Sequence, residues 1–175
     1  MSLRAFKSAW VMVFLVALAG CGEPPVERVS APSVMPEPSM YRSLAQKGVF
    51  VDAEAARDMI SLYRRNNGLG ALALEEKLQD AAQAQATEMA RRGSLDQHAR
   101  GSLGSRLAAA GAPSGVAVEN VSAGYHTLAE AFSGWRQSAP HNARMLDARA
   151  RRMGLATAYA PGAKYKVFWV LILTD

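Results

Sequence analysis

"KYKVFWVLILT", residues 164–174, decides the architecture. From Val167 to Leu173 every residue is apolar and most are β-branched or aromatic, which reads as a strand. Successive side chains of a strand point to opposite faces, so a strand that is apolar at every position must be covered on both. The stretch before it has a period of two: Met153, Leu155, Thr157 and Tyr159 alternate with Gly154, Ala156, Ala158 and Ala160. Pro161-Gly162 then turns the chain, so residues 152–174 are predicted to form a hairpin.

Helices supply the cover. Asp52 is a suitable N-cap for a helix over about 53–66, with Ala56, Met59, Ile60 and Tyr63 at helical spacing and Asn66-Asn67-Gly68 as its stop. Leu69–Leu74 crosses over. A second helix, about 75–92, aligns Leu78, Ala81, Ala82, Gln85 and Met89 and ends at Gly93; its alanines allow a close neighbour. A short helix is expected from about Ser102 to Ala110. Thr127 with Glu130 three residues later forms a capping box for a helix that buries Leu128, Ala131, Phe132 and Trp135. Ser138 caps a further short turn with Pro140 placed early. The expected fold is α/β: a three-layer α-β-α sandwich around a small, mostly antiparallel sheet.

One residue is out of keeping with this pattern. "VAVENVSAG", residues 116–124, reads as a strand, yet Glu119 stands in its middle. A carboxylate in a half-buried strand costs several kcal/mol, in order of magnitude, unless it is hydrogen-bonded, paired, protonated or bound to a cation.

The front of the chain has a different character. Arg4 and Lys7 precede an apolar run, Ala9–Leu18, too short to span a bilayer comfortably, and Leu18-Ala19-Gly20-Cys21 resembles the lipobox of bacterial lipoproteins. Residues 1–20 are therefore expected to be a lipoprotein signal peptide, and Cys21, the sole cysteine, the site of lipidation. Several acyl chains at about 0.8 kcal/mol per buried methylene give stable anchoring without a membrane span. The absence of an Asp beside Cys21 points to the outer membrane, facing the periplasm. Residues 21–51 hold five of the eight prolines and read as a tether, with the domain at 52–175. Removing Arg4 and Lys7 leaves a mild basic excess, and Arg91-Arg92 and Arg149/Arg151/Arg152 read as solvated faces. With no basic run interleaved with aromatics, no nucleic-acid partner is expected.

There are three histidines, His98, His126 and His141, and no pair has local metal-ligand spacing. No nucleophile elbow or phosphate-binding loop is present. The blocks "YRRNNGLGALALEEKLQDAAQAQATEMARRGSLDQH", "ENVSAGY", "AFSGWRQSAPHNARML" and "RMGLATAYA…YKVFWVLIL" together resemble a bacterial CAP, or SCP, domain, the superfamily of cysteine-rich secretory, antigen and pathogenesis-related proteins. The resemblance covers residues 55–175. It implies an α-β-α sandwich and a groove where two His and two Glu converge. By that pattern the first His falls on His98, the first Glu on Glu119 and the second His on His141. The second Glu has no counterpart, since Arg136, Gln137 and Ser138 follow Trp135.

The expectation that results is a trio, His98, Glu119 and His141. It would act either as a charge and hydrogen-bond cluster, with Glu119 favouring the imidazolium, or as a loose site for Zn²⁺ or another divalent cation. Two functions follow. One is a membrane-tethered, non-enzymatic binding module whose groove takes a lipid, a cell-wall fragment or a protein. The other is a metal-assisted hydrolase of envelope peptides, glycans or esters with the same trio as its catalytic residues; the missing second carboxylate weighs against it.

Overall fold

The computed structural model describes residues 36–175. The expected signal peptide, the expected lipobox with Cys21 and the first part of the expected tether lie outside the described residues. Pro36–Asp175 is one compact unit, which begins before position 52. The reason is Leu44: its side chain is buried in the core, and its N–H donates to the His126 carbonyl at 2.7 Å.

In chain order the elements are α1 (Ala53–Asn66), β1 (Ala73–Leu74), α2 (Glu76–Arg92), α3 (Leu103–Ala109), β2 (Ala117–Ala123), α4 (Leu128–Gln137), α5 (Ala139–Met145), β3 (Arg152–Tyr159) and β4 (Val167–Thr174). They follow the local signals. Asp52 accepts from the Ala55 N–H at the start of α1. Thr127 and Glu130 make the full capping box of α4. Ser138 occupies the N-cap position of α5, but its side chain makes no capping bond.

The sheet has the strand order β1-β3-β4-β2, with β1 parallel to β3 and the other pairs antiparallel. All eight residues of β4 are buried. Val167, Trp169, Leu171 and Leu173 join Ile60, Leu128, Trp135 and Met145 in one core layer, while Phe168, Val170 and Ile172 join Leu78, Met89 and Leu107 in the other. The three-layer α-β-α sandwich is thus present, with β4 at its centre. Two details differ from the sequence reading. The crossover 69–74 ends in the two-residue strand β1, too short to show a period. β4 starts at Val167 rather than Lys164, because Lys166 Nζ turns back to the Ala163 carbonyl at 3.0 Å and closes the hairpin loop. Among the described residues no helix is long and apolar enough to cross a membrane.

The small residues of β3 set how near α2 can come. A Cβ on Gly154 would overlap the Leu78 carbonyl group and stand 2.5 Å from the Gln79 nitrogen. Backbone does not yield as a side-chain end does, so Gly154→Ala is expected to cost about 1–3 kcal/mol, the range for overpacking a filled core. Gly162→Ala, with open space around it, should stay within about 0.5 kcal/mol. Urea unfolding of both variants measures the contrast.

Candidate functional site

The pleat of β2 places its polar residues. Glu119 pairs in register with Ile172 and so shares the α2/α3 face; Asn120 pairs with Leu171 and shares the α4/α5 face. Ser122, on Asn120's side, accepts from Trp135 Nε1 at 3.0 Å, and Trp135 meets Trp169 edge to face with centroids 6.0 Å apart. Asn120 Nδ2 donates to the His141 carbonyl at 3.0 Å, which ties β2 to α5.

Glu119 is held by a partner that the sequence reading missed. Its side chain is fully buried, and its two oxygens accept from Arg106 Nη1 and Nη2, each at 2.8 Å. Such a bidentate, charge-assisted pair offsets the desolvation of both ions. Arg106 comes from α3, whose N-cap Ser102 accepts from the Ser105 N–H. A signal for it existed. Arg106 lies three residues after Leu103 and one before Leu107, on the stripe of α3 that faces the core. A cavity of about 300 Å³ beside the pair is lined by Asp80, Arg100, Ser105 and Arg106.

No hydrogen bond among the described residues joins His98, Glu119 and His141 to one another. His98 is exposed in the turn after α2, where its N–H donates to Asp96. His141 sits half-buried on α5, across the sheet from Glu119. His126 is exposed, as read from the sequence. Among the described residues no group of three His, Cys, Asp or Glu side chains could hold a metal ion. A divalent cation does not fit the trio as arranged, because His141 lies across the sheet from Glu119. The corrected picture has Arg106 as the hydrogen-bond partner of Glu119 in place of His98 and His141: the pleat puts His141 on the other face of the sheet, and His98, which follows α2, makes no side-chain bond to Glu119, whose two oxygens accept from Arg106.

The electrostatics of His141 are also the reverse of the expectation. Burial, and then the nearby Arg144 guanidinium, hold its imidazolium below the usual range. A histidine that charges less readily folded than unfolded draws the chain toward the unfolded state as protons are added. The contribution is absent above the ordinary value near 6.5 and grows as pH falls below it. Stability should therefore fall from pH 7.5 to 5.5, and His141→Gln should flatten that slope; melting temperatures across the range measure it.

A second cavity, about 720 Å³, lies elsewhere, at the outer edge of β3. Val49 and Phe50, the α2 residues Gln83, Thr87 and Arg91, and residues 157–163 line it. Arg91 and Arg92 on its rim both bind Glu88, at 2.7 and 2.6 Å, and pull that carboxyl down to about 2. Neither Phe50, 65% exposed, nor this edge was given a functional role in the sequence reading.

Residues 57–173 match the model of the cysteine-rich secretory protein family, CAP. No curated protein matches the chain. Among solved structures, an extracellular protein containing an SCP domain from Bacillus anthracis is similar at 22% identity and a TM-score of 0.62, over 70% of this chain and 40% of that one. An outer surface protein from Borrelia burgdorferi is similar at 15% identity and 0.62, over 70% and 91%. A cysteine-rich secretory protein from Staphylococcus aureus follows at 17% and 0.57, over 70% and 38%. The first and third relatives are much longer than the matched region, and at these identities the likeness concerns the fold.

Proposed function

Since the chain belongs to the cysteine-rich secretory protein (CAP) family, we propose that it is a non-enzymatic binding module of the cell envelope, exported and held at a membrane by acyl chains on Cys21. The observation that carries the reading is the Arg106–Glu119 pair. Each carboxylate oxygen accepts a guanidinium N–H at 2.8 Å in a fully buried pair, which supports an architectural role for Glu119 over that of a general base, since a base must reach the proton it takes. What the domain offers instead is a groove with apolar walls and a basic rim, of a size suited to a ligand. The neighbours described as extracellular or outer-surface proteins support export.

Native mass spectrometry of the protein taken from its own membrane tests anchoring and binding together. The expected result is an acyl mass on Cys21, lost with membrane association in Cys21→Ser, and a bound lipid, wall fragment or protein. A metal-dependent turnover of wall peptide, glycan or ester substrates that disappears in a folded Glu119→Gln variant would overturn the non-enzymatic reading.

A further inference from the structure

β1 covers only the start of β3, pairing with Arg152 and Met153. The backbone groups of the odd-numbered residues beyond that point face away from β4. Met153 C=O accepts from the Glu75 N–H, the Leu155 N–H donates to Gln79 Oε1, and Thr157 C=O accepts from Gln83 Nε2 at 3.1 Å. Ala160, even-numbered, donates inward to Lys166. Two glutamines one helical turn apart on α2 thus blunt the first part of this edge, as side chains must where an edge strand lies open. The part that follows is not blunted. Among the described residues the Thr157 N–H and both the N–H and C=O of Tyr159 have no hydrogen-bond partner, and these residues line the 720 Å³ groove.

The surroundings select the occupant. The groove runs along this open edge between α2 and the segment Lys47–Phe50, with room for an extended chain to lie beside β3. Val49 and Phe50 offer apolar contact for alternate side chains. Lys47 on the rim makes no ion pair among the described residues, whereas Arg91 and Arg92 share Glu88, so the rim favours an acidic ligand.

We propose that the Thr157–Tyr159 edge of β3 is an acceptor for an extended acidic peptide, which adds a short strand in line with β1 through main-chain hydrogen bonds. This inference rests on the binding-module reading and gives it a ligand class.

The probe is a fluorescein-labelled acetylated peptide, Val-Glu-Val-Glu-Val, titrated into the full chain in detergent. Saturable anisotropy is expected, together with slowed hydrogen exchange at the Thr157 and Tyr159 amides. The analogue N-methylated at alternate residues should lose at least tenfold in affinity, since it keeps its side chains but cannot pair with a strand. Lys47→Glu should lose a comparable factor, and Val-Lys-Val-Lys-Val should regain binding to that variant. Equal binding of the methylated peptide, unchanged amide exchange, or no binding at millimolar peptide would each overturn the proposal, as would a concentration-dependent dimer that protects the same amides without peptide. A lipid found on the native protein while the peptide fails would sink this inference and leave the binding-module reading standing.

Discussion

Arg106→Met should destabilise the domain by about 3–5 kcal/mol, because it strips a fully buried carboxylate of its partner and leaves the charge in the core. Glu119→Leu, which leaves the guanidinium buried without its counter-ion, should cost a similar amount. The double variant Arg106→Met/Glu119→Leu should lose far less than the two single losses added, and by the general behaviour of buried ion pairs it could equal the native protein. Urea unfolding of all four proteins closes the cycle. Additive losses would mean that the 2.8 Å contacts contribute no coupling. The experiment also bears on function: a carboxylate whose partner can be replaced by hydrocarbon without loss of ligand binding is architecture.

Arg64→Met is the second large effect, again about 3–5 kcal/mol. Arg64 is fully buried at the end of α1, and its guanidinium donates to four carbonyls: Gly70 at 2.9 Å from Nε, Met145 and Asp147 at 2.7 and 2.9 Å from Nη1, and Ala150 at 3.0 Å from Nη2. Burial lowers its pKa from the ordinary value, but an arginine starts high enough to stay charged. Met fills a similar volume and satisfies none of these acceptors, and each buried carbonyl left bare costs on the order of 1–3 kcal/mol. Arg64→Lys should recover only part, since a single ammonium cannot reproduce the planar fork. Thermal melts of the two variants rank the effect.

The sandwich was legible because its signals are local. Asp52, the Thr127/Glu130 box and the all-apolar run 167–173 each act within a few residues, and each forms as read. Glu119 was legible as a problem but not in its solution. The pairing with Arg106 joins a helix stripe to a strand face across a loop, and nothing in the spacing of the two residues announces it. Arg64 was invisible for the same reason: its four acceptors are backbone groups of the loop after α1, the last residue of α5 and the loop that follows it. The site implied by family resemblance fared differently. It set His141 beside Glu119, whereas the pleat gives that side to Asn120. β1 escaped notice because two residues have no period to read.

The central position of β4 has a consequence for synthesis. It is the last strand in chain order, yet both core layers rest on it and it separates β3 from β2. While residues 167–174 are still inside the ribosome, the strand between the two core layers is missing, and neither β3 nor β2 can make its pairing with β4. The two core layers therefore join only once β4 is free to pair, in one cooperative step.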